Sequence, residues 1–347
     1  MEFNRSELQA QLELMKSCSS TPVNEDASNK ILFTEEGIIN NSRGRLVTFL
    51  QGSYDFDGQF LIDNLLNIVK NISGETIELS MEKEGDLKIS SGKTKITLKS
   101  DELPEEGPTS VRYMQETISG LIQDKKFTKL PTNFIDGIGK VLRCASTDKN
   151  HNFLCNINVQ GSDLIASDNF KIGHYVLDKE FPVKFLIDTY NIQPIVSFAP
   201  KSYHLLGDKI IFKRGQDYQI CVISKEDYPD FMEVLSHKSK YEIELPEGIK
   251  GALYLAQQIP GKDIDRQVIL KQEKFKLTLS CKAQTGWFRQ NFPMKKQQDI
   301  SFAMNLNVLT ELVSDLGTSI EIQETDTGKI SKDGFTFLFP IGIGEWS

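Results

Sequence analysis

The chain has 347 residues, 39% hydrophobic and 25% charged, which excludes a disordered, collagen-like or fibrous polymer and supplies enough apolar side chains for two or three domains. Forty Lys and Arg against 48 Asp and Glu give a net charge of −8, so the bulk surface repels nucleic acid and anionic lipid unless basic side chains gather on one face. The apolar run around Leu61 to Val69 is broken by Asp63 and Asn64, far short of the ~20 residues of a membrane span.

The chain begins Met1-Glu-Phe-Asn-Arg, without the basic start and apolar stretch of an export signal, so the expected location is the cytoplasm. From Asn4 to Cys18, Leu8, Leu12 and Met15 recur at helical spacing. Phe60-Leu-Ile-Asp63 then opens a segment of mixed helical periodicity. Thr76–Leu79 reads as a strand after a helix, and Gly85-Asp-Leu-Lys-Ile-Ser carries a turn residue into alternating positions. Thr94, Ile96 and Leu98 alternate with Lys93, Lys95, Thr97 and Lys99, the period of a strand with one wet face. Leu103-Pro104 ends the sheet, because proline cannot continue a central ladder.

The same series then recurs. Pro131 precedes a helix in which Phe134, Ile138, Val141 and Leu142 share a face, and Phe185-Leu-Ile-Asp188 repeats the earlier tetrapeptide 125 residues on. Pro194–Phe198 stands in the place of the strand after the helix, Gly207-Asp-Lys-Ile-Ile-Phe leads a hairpin, and Tyr228-Pro229 closes the copy, again 125 residues from Leu103-Pro104. A third copy begins after Pro246 with Ile249, Leu253, Ala256 and Ile259 on one helical face. It continues with a core-facing helix from Phe302 to Leu316, Ser319–Ile322 and Gly328-Lys-Ile-Ser. Both Pro131 and Pro246 sit where a first helical turn tolerates proline. Strands interrupted by helices without regular β-α-β alternation predict an α+β fold with antiparallel sheets, in three similar modules of residues 1–108, 109–238 and 239–347.

No catalytic constellation stands at diagnostic spacing. His151, His174, His204 and His237 lie apart from each other and from any cysteine pair, and the odd set Cys18, Cys144, Cys155, Cys221 and Cys281 reads as reduced, mostly buried thiols. No metal or cofactor is expected. Asp136-Gly-Ile-Gly-Lys140 lacks the full phosphate-loop pattern and lies inside a predicted helix, while Gly342-Ile-Gly344 has too little chain after it to form a dinucleotide site and reads as a flexible tail. Gln11–Met15 looks like a clamp-docking peptide, but its leucines lie on the apolar side of the first helix, so core packing is expected.

The paired Phe-Leu-Ile-Asp segments, Leu164-Ile-Ala-Ser-Asp168, Asp227-Tyr-Pro-Asp-Phe-Met-Glu-Val-Leu235 and the ending Phe335-Thr-Phe-Leu-Phe-Pro-Ile341 together resemble the bacterial sliding clamp family, the beta subunit of DNA polymerase III, over nearly the whole chain. The resemblance implies a closed ring built as a head-to-tail homodimer, with helices lining a channel and sheets outside. It implies a non-enzymatic processivity factor for DNA replication that encircles double-stranded DNA regardless of sequence, tethers a replicative polymerase and is opened by a clamp loader. Helix faces carrying Arg5, Lys16, Lys140, Arg143 and Lys250 would meet the DNA and answer the objection from net charge.

A partner-peptide groove carries over onto Leu154, Ser167, Phe170, Ile172, Pro229, Val234, Phe337, Phe339, Pro340 and Ile341. Phe170 stands where the family has histidine and Glu233 where it has arginine, which points to a different docking peptide and to a divergent or virus-encoded replisome. The tail 342–347, with Trp346, extends past the family's usual end. The subunit seam falls on Ile96 and Leu98 of one copy against Ile259 of the other. Two other classes stay open on the residues alone: a repeat scaffold or ligand-binding protein that never encircles DNA, and a hydrolase assembled from scattered carboxylates.

Overall fold

The computed structural model describes residues 1–19, 29–42, 45–82, 85–101, 111–259, 267–283 and 285–343. The linker around Pro104 and the end of the tail with Trp346 lie outside the described residues. Antiparallel sheets and short helices alternate along the chain, which divides into two compact units.

One unit comprises Met1–Leu142, Asn156–Ser162 and Leu177–Glu226. Its first helix, α1 (Arg5–Ser17), starts where the Asn4 side chain accepts from the Ser6 and Glu7 amides, satisfying N–H groups that have no partner in the first turn. Leu8, Leu12 and Met15 are buried, as the spacing predicts. The second helix, α2 (Ile62–Asn71), follows directly on the strand Gly58–Leu61 and packs on α1 through Ile62, Leu65, Leu66 and Val69. Strands Glu2–Asn4, Thr76–Met81, Leu87–Ser91 and Thr94–Leu98 form a four-stranded sheet in that order, with Thr94–Leu98 at one edge.

A second sheet of the same unit has eight strands, in the order Gly58–Leu61, Lys30–Thr34, Gly37–Ser42, Leu46–Gln51, Asp217–Val222, Lys209–Arg214, Ser202–Leu206 and Thr128–Lys129. Leu46–Gln51 and Asp217–Val222, far apart in sequence, meet at its middle. A helix with no counterpart in the sequence reading, α3 (Val111–Ile122), sets Ile118 against Leu32, Ile39, Phe49, Ile211 and Ile220 of this sheet. Helices α4 (Phe134–Leu142) and α5 (Ile192–Phe198) pack on each other, and α1 also touches α5.

Helix α5 corrects an expectation. Pro194–Phe198 is helical, with Ile192, Ile195 and Phe198 buried at spacings of three and Ala199 in the left-handed region (φ 50°) closing the last turn. Pro194 is tolerated because the first-turn amides of a helix have no intrahelical acceptor. The strand that follows is Ser202–Leu206. Pro131 and Pro246 likewise lie just outside their helices, where their carbonyls accept from the Phe134 and Ile249 amides.

The other unit comprises Arg143–Cys155, Asp163–Val176 and Asp227–Ser347. Six of its strands run Asp163–Ser167, Ile172–Val176, Phe335–Pro340, Thr327–Lys332, Ser319–Gln323 and Ser239–Glu244, all antiparallel to their neighbours. A short helix, α6 (Met232–Leu235), precedes the strand Ser239–Glu244, and α7 (Ile249–Gln257) packs on α8 (Leu306–Asp315). The long strands Gln267–Ala283 and Gly286–Asn305 pair in two stretches, Gln267–Lys274 with Gln298–Asn305 and Lys276–Ala283 with Gly286–Pro293. The break falls beside Lys274, whose φ is 54°.

Two further expectations change here. Phe302–Asn305 ends a strand, and the helix starts only at Leu306, because the Asn305 side chain caps it by accepting from the Asn307 and Val308 amides. Phe302-Ala-Met-Asn305 is thus the third strand-to-helix junction, in the place of the two Phe-Leu-Ile-Asp segments. Gly342 and Ile343, read as flexible tail, pair with Ala303 and Phe302 as a short strand.

Candidate functional site

All ten groove residues fall in the second unit. The groove's floor is core. Phe337 and Phe339 alternate on one face of Phe335–Pro340, their rings 6.0 Å apart, and Phe339 is only 2% exposed. Leu154 and Ser167 are also buried. Ile172 pairs with Leu338 across neighbouring strands. Two glycines make the packing fit: a Cβ at Gly328 would run into the Phe339 ring, and one at Gly173 would come within 2.6 Å of Cys144 Sγ. Burial pushes the Cys144 thiol up to about 12, so it stays protonated.

The rim is built by local hydrogen bonding. Asp168 Oδ1 accepts from the Phe170 and Lys171 amides at 3.0 and 2.9 Å while Asn169 takes a left-handed φ of 75°. That turn projects Phe170 outward, 78% exposed. Asp230 Oδ1 accepts from the Met232 amide at 2.9 Å and starts α6, leaving Met232 43% exposed. Tyr228 joins the two sides: its hydroxyl oxygen accepts from the Ser167 amide at 3.1 Å, and its ring lies 5.9 Å from that of Phe231. Burial raises the Tyr228 phenol, which is neutral at physiological pH.

Val234 and Ile341, both half-buried, are linked through a short chain of contacts. The His237 amide donates to the Val234 carbonyl, Thr325 Oγ1 meets His237 Nδ1 at 3.4 Å, and the Ile341 amide donates to the Asp326 carbonyl at 3.0 Å. Pro229 and Pro340 are exposed. The exposed apolar surface is therefore Phe170, Met232 and the two prolines, over a floor of buried phenylalanines. Tyr228 and Met232 were missed as site residues in the sequence, although both stand inside the motif 227–235.

The five candidate DNA-contacting cations have distinct surroundings. In the first unit Arg5 Nη1 donates to the Ile72 carbonyl at 3.1 Å, Lys16 meets Asp63 at 2.5 Å, and Lys140 meets Asp136 one helical turn away at 2.8 Å. In the second, Arg143 is held by Glu311 and Asp315 at 3.1 and 2.7 Å and lies 6.0 Å from the centre of the Phe335 ring. Lys250 on α7 is exposed and has no ion-pair partner among the described residues. Ion pairs with partners this exposed contribute under about 1 kcal/mol each.

Ile96 and Leu98 are half-buried on the edge strand, opposite Ile89 and Leu87. Ile259 lies just beyond α7, with its Cγ2 3.4 Å from where a Cβ of Gly286 would stand. Among the described residues no His, Cys, Asp and Glu group could hold a metal ion, and no helix is long and apolar enough to cross a membrane.

No family model matches the chain, and no curated protein matches it in sequence. Solved structures do. The beta subunit from DNA polymerase of Streptococcus pyogenes superposes with a TM-score of 0.79 at 14% identity, covering 99% of both chains. A putative DNA polymerase III beta subunit from Eubacterium rectale gives 0.79 at 12% identity over 98% of each. The Helicobacter pylori beta clamp bound to a DNA ligase peptide gives 0.76 at 15% identity over 99% of each. From first strand to last, the chain has the fold of the bacterial DNA polymerase III beta subunits, the sliding clamps.

Proposed function

We propose that the protein is a DNA polymerase processivity factor, a non-enzymatic clamp of the cytoplasm that closes around duplex DNA as a head-to-tail homodimer. It tethers a replicative polymerase through the groove and is opened by a clamp loader. The observation that carries this reading is the correspondence of fold over 99% of the chain with clamps, one of them holding a ligase peptide.

The order of strands supports a ring of three modules per chain, with boundaries at 1–108, 109–238 and 239–347. Leu46–Gln51, from the first half of module one, pairs with Asp217–Val222, the last strand of module two. Ile172–Val176 of module two pairs with Phe335–Pro340, near the end of module three, in the same way. By that rule two strands lack a counterpart among the described residues: Thr94–Leu98 of module one and the Gly286–Pro293 arm of module three. A second copy turned head to tail supplies both, bringing Ile96 and Leu98 toward Ile259 and covering an edge that would otherwise invite aggregation.

With three of its helix cations matched by carboxylates, the protein holds DNA by enclosure more than by attraction. Loaded on nicked circular DNA, it is expected to stay bound in salt that strips ion-pair binders, and to leave when the circle is cut. Release from intact circles at moderate salt would refute the enclosure. For the groove, replacing Phe170 and Met232 by alanine is expected to lower polymerase stimulation at least ten-fold with ring retention unchanged. Full stimulation by that double variant would remove the groove from the account.

A further inference from the structure

The hairpin Gln267–Asn305 stands apart in charge from the rest of the chain. It carries six lysines and one arginine against one glutamate and one aspartate, a net +5 in a protein of net −8. In an antiparallel ladder, residues directly opposite each other share a face. Four such pairs, Lys276 with Pro293, Thr278 with Asn291, Ser280 with Arg289 and Lys282 with Trp287, make one face of the second stretch. The alternate residues Leu277, Leu279, Cys281 and Phe292 point the other way and are buried. On the first face Lys276, Lys282, Trp287, Arg289 and Asn291 are exposed, and no carboxylate stands among the eight residues. Trp287 is 74% exposed, and Phe275, at the break between the stretches, is 56% exposed. The nearby Glu273 is held by Lys271 at 2.7 Å, which with Lys276 and Arg289 keeps its carboxyl below the usual range.

Pairing of this arm with a second copy would use its open backbone edge, whereas the Trp287 side chain stands on the face of the sheet, beside cations. Its ring is a stacking platform, Lys282 directly opposite and Arg289 two residues on supply cations beside it, and Asn291, whose Oδ1 accepts from the buried Thr278 hydroxyl at 2.9 Å, adds an exposed amide on the same face. We infer that this sheet face is a second binding site, for single-stranded nucleic acid laid across it with a base on Trp287 and the backbone along Lys276, Lys282 and Arg289. Duplex DNA fits it less well, because paired bases offer no free ring to the tryptophan. The site shares an arm with the proposed seam but uses its sheet face and not its backbone edge.

The test uses the full-length protein and a fluorescein-labelled thymidine 20-mer, followed by anisotropy and by quenching of tryptophan emission. The wild type is expected to bind at low salt, with Lys282→Glu/Arg289→Glu weakening binding at least ten-fold and Trp287→Ala at least five-fold. The slope of log affinity against log salt is expected to flatten by about 0.7 for each cation removed. Wild-type affinity in both variants overturns the assignment. So does equal displacement of the oligonucleotide by poly-glutamate with no loss in Trp287→Ala, which would make the face a general polyanion patch. A change in the sedimenting mass of Trp287→Ala also overturns it, because the tryptophan would then belong to a contact between copies. Retention on nicked circles is measured on Lys276→Glu/Lys282→Glu, whose positions lie on the strand Gln267–Ala283 outside the arm given to the seam; it is expected to be unchanged while oligonucleotide binding falls, and it reports separately on the enclosure.

Discussion

Two strands of the same unit, Phe335–Pro340 and the Gly286–Pro293 arm of the hairpin, each carry three aromatic residues. They are used in opposite ways. In Phe335–Pro340 the phenylalanines point into the core and Leu338 on the other face is buried too. In Gly286–Pro293, Phe292 is buried while Trp287 stands in water. The difference teaches that an aromatic side chain is a floor when both neighbouring strands and a covering layer are present, and a contact surface when one layer is missing.

The largest effect expected from this contrast is in stability. Phe339→Ala should cost about 3–5 kcal/mol, the loss of a fully buried ring and the cavity it leaves, whereas Trp287→Ala should stay within about 0.5 kcal/mol. Urea unfolding of the two variants measures both, and equal losses would erase the distinction. It also means that Phe339→Ala is a poor probe of partner binding, since any loss of polymerase stimulation would be confounded with unfolding. Phe170 and Met232 are the informative positions.

A smaller effect tests how tightly the floor is packed. Gly173→Ala places a methyl group against Cys144 and should cost about 1–3 kcal/mol, read as a lowered urea midpoint with unchanged slope. A neutral result would mean that the strands Ile172–Val176 and Phe335–Pro340 have room to shift.

The smallest effect concerns the thiols. Burial pushes Cys18, Cys144 and Cys221 up to about 12, and Cys281 is buried as well, which leaves Cys155 as the half-exposed thiol. At pH 8 the folded protein should label rapidly at one cysteine and, once unfolded, at all five. Because the folded values lie above the unfolded value of 9.0, these thiols contribute stability that is intact below pH 9 and lost progressively toward 12. Fast labelling of a second cysteine would show that the floor around Cys144 opens.

Much of the architecture was legible in the chain. Leu8, Leu12 and Met15, or Phe134, Ile138 and Val141, announce their helices by spacing alone, and the lysines of 93–99 mark a strand with one wet face. Pro194–Phe198 was misread because Ile195 and Val196 are β-branched and a proline starts the run; the left-handed Ala199 and the packing partner α4 decide for helix, and neither leaves a mark on local composition. Helix α3 was missed because its reason for existing is the sheet formed by strands from both ends of the first 222 residues. Of the proposed groove, the apolar members were carried over from their motifs, but their division into buried floor and exposed rim was not legible, since Phe170 and Phe339 are the same residue type.

What the sequence by itself determined was therefore local: the helices and strands whose apolar residues recur at a regular spacing. Periodicity and capping act over a few residues, so they can be read in order. Only the tertiary structure decided which aromatics are covered, that Lys16, Lys140 and Arg143 face carboxylates, and that Lys276, Lys282 and Arg289 share one face of a hairpin. Burial and charge pairing depend on which distant strands come to lie side by side, and a linear sequence does not contain that distance.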